Sequence, residues 1–507
     1  MRFKPIIVLL SLSLLFTTVK GQERDYQFLY GQYRDFYSQT PSMLTGWGYR
    51  NWSYFGASYS LESGNYRNPQ YYNRRSLIDF NTESIYRPDK SRWIFHGRFR
   101  YYNGRADSLH NNLSYNIDRY GSPIYLFQRK VGDWDLQDYR FDVTVANNIS
   151  NRLSLGVKLQ YEGLYTFRIV DTRNSQTTLN TELLFSADYK VSAKSRVGLG
   201  IGTNRIKTEP ALTNKYHYGT SDQIYNIYYN VGMGSYLKGV NWGITYTNNS
   251  LVALAQWAYS DSYSSYTLSY KLNSGQEVVV NKYLNRIEEE NRVLLYDFMV
   301  HSGKFSTMHR AGSRFLLNSL DFNLTQGYSN QWIKESLSYF KVYTSSIIDV
   351  DYRGTLYSPK SLFRRVNAHA HYNREQLLDR VYNYRFQHSS LAFGASGELL
   401  FKFNSVRTTL SAGATYGKNL NFRNDPGGAI DNLYYNWIGQ PKMAFLATDW
   451  FEIPSFIRFD IPFKENLVEL LLSGAYRKPL KINYPAGASF SLEDKFSSAS
   501  ISLKFYF

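Results

Sequence analysis

The strongest constraint on the fold is a strict alternation of apolar and polar residues on both sides of a tight turn. Residues 76–102 read SLIDFNTESIY and RWIFHGRFRYY around the turn RPDKS. When Phe80 is placed opposite Phe99, one face of the predicted hairpin is apolar and aromatic, and the other brings acidic residues beside basic ones. A shift by one residue would mix the two faces, so both faces together predict an antiparallel hairpin.

The same pattern recurs along the chain. Hairpins are predicted in RFDVTVANNISNRLSLGVKLQYE, in LLFSADYKVSAKSRVGLGIG, in IYYNVGMGSYLKGVNWGITY with a turn near YLKG, in LAFGASGELLFKFNSVRTTLSAGATY, and in DWFEIPSFIRFDIPF with a turn near EIPS. Long polar connectors separate them, at 104–137, 168–178, 207–222, 274–291 and 418–440. Within the less regular stretch 248–380, HSGKFSTMHRAGS is predicted to be a long connection. Tight turns that alternate with long loops are typical of transmembrane barrels.

The predicted fold is all-β, a single transmembrane antiparallel β-barrel with long extracellular loops and short periplasmic turns. We expect about 16 strands, within a range of about 14–18, and an even number. The composition agrees, because 47 Tyr, 32 Phe and 9 Trp occur in a chain with no run of apolar residues long enough for a membrane helix. A soluble secreted β-protein would explain the alternation, but not the aromatic end of the chain.

Both ends of the chain predict export and membrane assembly. The start, MRFKPIIVLLSLSLLFTTVKG, has a basic region followed by a short apolar run, which predicts a cleavable signal peptide over residues 1–21. We expect residues 22–50 to form a periplasmic or lumenal segment and residues 51–507 to form the barrel. The end, SISLKFYF, places Phe505 and Phe507 where the barrel-assembly machinery recognises aromatic residues. The predicted location is the cell outer membrane, as an integral protein.

Charged residues of the predicted hairpins are expected to face the lumen in pairs. These residues are Asp79 with Arg100, Glu83 with His96, Arg98, and Asp142 with Lys158. A further group, His369 and His371 with Asp349, alternates on two neighbouring segments. A polar lumen wall is the favoured interpretation of this group. The alternatives are a divalent metal site and acid–base chemistry.

Motifs for catalysis are missing from the sequence. It contains no G-x-S-x-G elbow, no H-E-x-x-H pair, no phosphate-binding loop and no cysteine. No catalytic, cofactor-binding or metal-binding residue is therefore predicted, no cofactor is expected, and the chain is not expected to be an enzyme.

The segment before the first strand carries an aromatic stripe. Residues 24–38 place Tyr and Phe side chains at helical spacing. We expect this segment to fold into the lumen against a glycine-rich wall, because glycine in a strand often marks a close approach by other groups. The predicted wall consists of Gly198, Gly200, Gly202, Gly232 and Gly234. The alternatives are that these glycines ease curvature, or that the segment lies on the periplasmic rim.

One part of the sequence resembles a known family. Residues 40–105 contain Gly64-Asn65-Tyr66-Arg67 with Pro69-Gln70, and then Trp93, Gly97, Phe99 and Tyr101. These motifs resemble the N-terminal part of an uncharacterised family of outer-membrane β-barrel proteins from Bacteroidetes. The resemblance implies the barrel fold and the outer-membrane location, and it implies a role related to nutrient or metal uptake. It transfers no catalytic residue.

The function hypotheses fall into separate classes. The first is a channel or the membrane component of a nutrient or metal uptake system. The alternative is a non-conducting scaffold or surface-binding barrel that acts with a partner lipoprotein or receptor, and an outer-membrane hydrolase is the least favoured. Expected partners are outer-membrane lipids and lipopolysaccharide, the barrel-assembly machinery, and a surface lipoprotein or another outer-membrane protein. No nucleic acid is expected, and the formal net charge of +17 does not identify a partner.

Overall fold

Eighteen antiparallel strands pair in chain order in the computed structural model, and the last strand pairs with the first to close a barrel. The structure describes residues 39–46, 51–68, 70–115, 119–213, 226–238, 244–281, 293–333, 338–359, 361–430, 432–463, 466–481 and 495–507. The all-β barrel fold is therefore confirmed. The expected number of about 16 strands is corrected to 18.

The barrel strands are β1 (Trp52–Gly64), β2 (Arg74–Tyr86), β3 (Trp93–Leu109), β5 (Gly132–Asn148), β6 (Leu153–Arg168), β7 (Arg173–Lys190), β8 (Ser195–Thr213), β11 (Ile244–Ser260), β12 (Ser264–Asn281), β13 (Val293–Ala311), β14 (Arg314–Ile333), β15 (Ser338–Tyr357), β16 (Phe363–Asp379), β17 (Tyr384–Phe403), β18 (Val406–Asp425), β19 (Asp449–Phe463), β20 (Asn466–Lys481) and β21 (Phe496–Tyr506). A separate small sheet contains β4 (Tyr125–Phe127), β9 (Tyr228–Asn230) and β10 (Tyr236–Lys238). The helices are the 3-10 helices Pro41–Gly46 and Gly427–Ala429, the π-helix Tyr435–Gly439 and the α-helix α1 (Gln440–Leu446). In the described part of the chain, no helix is long and apolar enough to cross a membrane.

The outer surface of the barrel is apolar because the alternating residues of each strand point outward. Phe141, Val143 and Leu159 on β5 and β6 are exposed on this surface, and so are Leu199 and Ile201 on β8. Closure pairs the first and last strands, with the backbone N–H of Ser53 donating to the carbonyl of Phe507 at 3.2 Å. In lipid every backbone polar group must be paired within the protein, and closure of the sheet meets that requirement. These features are those of a membrane-spanning barrel.

The two ends of the barrel differ. At one end, here called the turn end, neighbouring strands are joined by short connections such as 149–152, 191–194 and 404–405. At the other end, here called the loop end, the chain makes the longer connections 110–131 and 426–448. The predicted alternation of short turns with long loops is confirmed, but the predicted long connector 168–178 was wrong, because only residues 169–172 join the neighbouring strands and 173–178 belong to β7.

The first predicted hairpin forms, but its direct partners differ from those expected. Phe80 lies opposite Tyr101 rather than Phe99, which is a shift of two residues in β3. A shift of two residues leaves every side chain on its original face. The predicted apolar and charged faces are therefore confirmed, and the residue-by-residue register was wrong.

Three further local predictions were wrong. The stretch around YLKG is not a barrel hairpin, because β9 and β10 lie in the small sheet, and Val231 and Met233 are buried rather than exposed to lipid. The residues EIPS lie inside β19 and HSGKFSTMHRA lies inside β13, which turns only after Ala311. Glycine, serine and proline within long strands were interpreted as turn residues. The apolar residues of a core inside the lumen were interpreted as the lipid-facing residues of a strand.

Closure of the barrel can be tested with cysteines, because the natural sequence has none. Ser58 and Ser502 lie directly opposite each other on β1 and β21. We expect the double substitution Ser58→Cys and Ser502→Cys to become linked by oxidation or by a short thiol cross-linker, since paired residues have Cβ atoms about 4.5–5.5 Å apart. Linkage joins the two ends of the sheet, so the heat-denatured, unreduced protein should migrate faster in an electrophoretic gel.

The matched control is Ser58→Cys with Ser473→Cys, because Ser473 lies on β20, one strand further from β1. This pair should link poorly, since adjacent strands are about 4.8 Å apart and the distance across two spacings is too long for a disulfide. Efficient linkage of the control pair, together with no linkage between positions 58 and 502, would contradict the closure between β1 and β21.

Candidate functional site in a covered lumen

The inner wall of the barrel is buried near both ends, and on some strands its charged side chains are exposed in the middle. On β5 the inward residues Trp134 and Leu136, near the loop end, and Ala146, near the turn end, are fully buried. Arg140, half-way along the same strand, is exposed. Across the lumen, on β15 and β16, Asp351 and His371 are also partly exposed. The lumen is therefore covered at each end, and we call the space between the covers the chamber.

At the loop end the cover is made from connecting segments. Residues 110–131, 226–238 and 426–448, as far as the structure describes them, fold into the barrel and are called the cap. Their apolar side chains form one core with aromatic residues of the inner wall. The buried members of this core include Leu113, Ile124, Tyr125, Leu126, Phe127, Tyr228, Tyr229, Val231, Met233, Tyr434, Tyr435, Ile438 and Met443 from the cap, and Tyr246, Val279, Tyr296, Phe298, Tyr343, Tyr384 and Phe386 from the wall.

Hydrogen bonds join the cap segments to one another. The small sheet pairs β4 with β9 and β9 with β10, and so joins two of the segments. The side-chain amide of Asn111 donates to the carbonyl of Trp437 at 2.7 Å, and that of Asn432 donates to the carbonyl of Gly234 at 2.9 Å. The cap is therefore one packed unit rather than three independent loops.

A buried ion pair attaches the cap to the wall. The Arg119 guanidinium in the cap donates from Nε to Glu277 on β12 at 2.8 Å, and the two side chains are only 5% and 1% exposed. The hydroxyl of Ser122 donates to the same carboxylate at 2.7 Å. Arg119 also lies over the ring of Tyr246, 4.4 Å from its centre. Removal of one partner from such a pair costs about 3–5 kcal/mol, because the other charge is left buried alone.

Two weaker attachments lie on β16. The hydroxyl of Ser235 donates to Asp379 at 2.8 Å, and the ammonium of Lys442 donates to Glu375 at 3.0 Å. Together with the pair at Glu277, they hold the cap by polar contacts on different sides of the barrel. Such contacts fix the position of the cap, while its aromatic core supplies the apolar burial.

Burial also determines the ionisation of the cap. It raises the pKa of the Tyr125, Tyr229 and Tyr434 hydroxyls well above the usual value for tyrosine. These hydroxyls therefore stay neutral, and that of Tyr125 accepts a hydrogen bond from the side chain of Gln70 at 3.2 Å.

At the turn end, residues 39–46, here called the inner segment, lie against the wall of β3 and of β5 to β8. The backbone N–H of Thr40 donates to Gln256 at 2.9 Å, and that of Ser42 donates to Ser186 at 2.8 Å. Arg87 donates to the carbonyl of Thr45 at 2.8 Å. A Cβ atom at Gly156 would overlap the backbone of Ser42, so a glycine is needed there.

The predicted glycine wall is only partly involved. Gly198 lies close to Thr40 and Met43 of the inner segment, whereas Gly200 and Gly202 lie close only to residues of β7. Gly232 and Gly234 belong to the cap and lie near Asp379 and Ala429. Residues 24–38, for which a lumenal helix was predicted, lie outside the described residues.

At the turn end, the side of the barrel that lies across from the inner segment contains a charged network. Arg365 bonds Glu398 at 2.9 Å, and Arg458 bonds Asp460 at 3.3 Å. Both carboxylates are buried. Next to this network, a cavity of about 410 Å³ is lined mainly by small side chains. Its serines are Ser60, Ser396, Ser411, Ser455, Ser473, Ser498 and Ser500.

The lumenal pairs predicted from the sequence make contacts, although their register is shifted. Arg100 bonds Asp79, and Nε2 of His96 lies 2.8 Å from Glu83 with both side chains buried. The carboxylate of Asp142 contacts Arg98 at 3.2 Å and Lys158 at 3.6 Å. The contacts of Asp79, Glu83 and Lys158 run diagonally between strands, whereas Arg98 and Asp142 lie directly opposite each other.

The histidine group does not converge. His371 bonds Asp351 at 2.9 Å, while His369 lies 3.1 Å from the hydroxyl of Thr415. Asp349, which the sequence groups with these histidines, instead accepts a hydrogen bond from Asn373 at 2.6 Å. Among the described residues, no three His, Asp or Glu side chains are grouped as a metal site requires.

Other residues of the lumen were not found from the sequence. The sequence predicted polar connectors at 104–137 and 418–440 and a barrel hairpin around 226–238, so the aromatic core that these parts of the cap form together was not recognised. Arg140 was not singled out, although its position two residues before Asp142 on an alternating strand places it on the lumenal face. That spacing was the available indication.

The barrel, the cap and the inner segment fall within the extent of one protein family. The chain belongs to DUF6850, a family of unknown function. The match covers residues 41–507, and therefore most of the inner segment and every barrel strand. No curated protein matches this DUF6850 sequence.

Solved structures similar to this DUF6850 barrel are outer-membrane proteins with low identity. The ferric yersiniabactin uptake receptor FyuA from Yersinia pestis has a TM-score of 0.44 and 8% identity over 90% of this chain and 80% of that chain. The siderophore receptor PirA from Acinetobacter baumannii has a TM-score of 0.41 and 8% identity, again over 90% of this chain and 80% of that chain. The toluene transporter TbuX from Ralstonia pickettii has a TM-score of 0.30 and 10% identity, with 92% of each chain covered. Similarity at this level carries no functional inference.

Loss of the buried ion pair should loosen the cap. In the Glu277→Gln variant, Arg119 loses its carboxylate partner on β12, and we expect a loss of about 3–5 kcal/mol at this attachment. Limited proteolysis of the folded, detergent-solubilised barrel should then cut within residues 110–131 at least tenfold faster. The barrel itself should still migrate as a folded species before heating.

The matched control is Arg105→Gln. Arg105 is half exposed and pairs with Asp107 and Asp133 near the loop end, so its loss should cost only about 0–1 kcal/mol. Equal cleavage rates in the two variants would show that the Arg119–Glu277 pair does not hold the cap.

Proposed function

We propose that this protein is an outer-membrane transport barrel whose lumen is closed by the cap until the cap moves. The observation that carries the proposal is the chamber itself, a polar and water-exposed space between two covers, inside a wall whose outer face is apolar. A barrel that served only as a scaffold would have no need to keep charged side chains such as Arg98 and Arg140 exposed inside the lumen.

The orientation and the export route belong to the same proposal. The loop end faces the outside of the cell and the turn end faces the periplasm, as is usual for barrels of this class. Residues 1–21 act as a signal peptide, and Phe505 and Phe507 on the last strand are read by the barrel-assembly machinery. Outer-membrane lipids and lipopolysaccharide then surround the apolar belt.

The position of the cap in the chain supports gating. Its segments are connections between strands, so they can move without breaking the hydrogen bonds of the barrel. Its attachments to the wall include the polar contacts at Glu277, Asp379 and Glu375. A ligand or partner that replaced one of these contacts would shift the balance toward an open cap.

A non-conducting, surface-binding barrel is the second candidate. The compact aromatic core of the cap favours it, because a well-packed cap also suits a fixed platform for a partner lipoprotein or receptor. No enzymatic activity is proposed, and no residue is assigned a catalytic role.

Conductance in planar bilayers separates the two candidates. We expect the wild-type barrel to stay mostly closed, and the Glu277→Gln variant to raise the open probability at least tenfold, because weakening the attachment shifts the equilibrium of the cap. Arg105→Gln should behave like the wild type. If both wild type and Glu277→Gln remain silent while proteolysis shows a loosened cap, the transport proposal is wrong and the surface-binding barrel is favoured.

A further inference from the structure

Two arginines face each other directly across neighbouring strands inside the chamber. Arg100 on β3 lies opposite Arg140 on β5, and both side chains point into the lumen. Like charges in direct opposition destabilise a sheet. The side chains are 47% and 45% exposed, so neither is hidden from water. The fold does not require this arrangement.

Carboxylates behind the arginines hold them in place. Arg100 bonds Asp79. Arg140 donates to both Asp138 and Glu162, each at 2.7 Å. Both guanidinium groups lie near the ring of Tyr102, 5.5 Å and 5.7 Å from its centre. Asp138 is fully buried and Asp79 nearly so. Asp79 and Asp138 are therefore recessed in the wall and Glu162 is 27% exposed, while the guanidinium groups reach the water.

A third arginine extends the same surface. Arg98 lies two residues before Arg100 on β3, is 48% exposed and bonds the recessed Asp142 at 3.2 Å. Each guanidinium group has five N–H donors, and the contacts to the recessed carboxylates use only some of them. The remaining donors suit the planar, bidentate recognition of a carboxylate or a phosphate.

The opposite wall carries two acidic residues, with one exposed arginine, Arg353, beside them. Asp349 and Asp351 project from β15, which is the twelfth strand in barrel order, whereas β3 is the third, so they lie half-way round a barrel of 18 strands. Arg98, Arg100 and Arg140 are called the arginine wall.

We propose that the arginine wall binds the anionic group, a carboxylate or a phosphate, of the solute that enters the chamber. This inference deepens the proposed function, because it assigns the chemical class of the solute. Binding itself can be measured without transport, so the two proposals can fail separately. A bound anion also removes the repulsion between Arg100 and Arg140.

Thermal unfolding of the full-length, detergent-solubilised barrel tests the binding. Inorganic phosphate and citrate are compared with chloride at equal ionic strength. We expect either phosphate or citrate to raise the midpoint by about 2 °C more than chloride does, because a ligand that binds only the folded state stabilises it. The anion with the larger effect identifies a phosphate or a carboxylate as the preferred group.

Variants locate the site. Arg100→Gln should at least halve the specific shift, and it leaves Asp79 with a hydrogen bond from Asn81 at 2.9 Å. Arg140→Lys keeps the charge but loses the planar fork, and it should weaken binding while preserving the fold. Arg353→Gln removes an exposed lumenal arginine from the opposite wall and should leave the shift unchanged.

The results separate the two proposals. Equal shifts in wild type and Arg100→Gln, or no specific shift in wild type, would overturn the arginine wall as an anion site. A specific shift in a barrel that never conducts would support the site and contradict transport. In the conducting Glu277→Gln background, the reversal potential in a KCl gradient should show a preference for anions that Arg100→Gln reduces at least twofold.

Discussion

A barrel of 18 strands encloses more space than its own inward side chains can fill, and the rest of the structure depends on that constraint. Closure of the sheet pairs the backbone N–H and C=O groups that would otherwise be unpaired in lipid, but it leaves a wide lumen. In this protein, long connections at the loop end and the inner segment at the turn end occupy part of the lumen. The cap brings its own aromatic core, which packs on wall residues such as Tyr296 and Phe298.

Different interactions stabilise the cap and determine its position. Apolar burial in the cap favours a closed lumen, while buried polar contacts such as Arg119–Glu277 determine where the cap sits. A buried ion pair adds little net stability compared with apolar residues of the same size, but the loss of one partner is costly. The position of the cap is therefore sensitive to a few polar groups, as a gate requires, while the barrel wall stays intact.

The sequence predicted the barrel and the faces of its strands, because alternation reports which side of a strand faces lipid. It could not determine the register of the first hairpin, since a shift of two residues leaves both faces unchanged. It gave too few strands because Gly303, within β13, resembles a turn residue. Alternation also cannot tell lipid from an internal apolar core, and for that reason 226–238 was assigned to the barrel wall.

The candidate site was only partly predictable. Arg98 and Arg100 were placed in the lumen from the same alternation, but their direct opposition to β5 depends on the register, and so Arg140 was not recognised. The cap depends on contacts between residues far apart in sequence, such as Asn111 and Trp437, which are 326 positions apart. No local pattern encodes such contacts.

The central claim is that a water-exposed chamber lies between two covers, and thiol labelling along β3 tests it most directly. Ile94, Arg98 and Ala106 all face the lumen, but Ile94 and Ala106 are buried under the covers and Arg98 is exposed. In single cysteine variants of the folded barrel, a small charged thiol reagent should label Arg98→Cys at least tenfold faster than Ile94→Cys or Ala106→Cys. Equal rates at the three positions, or protection of Arg98→Cys alone, would contradict a covered lumen with a central chamber.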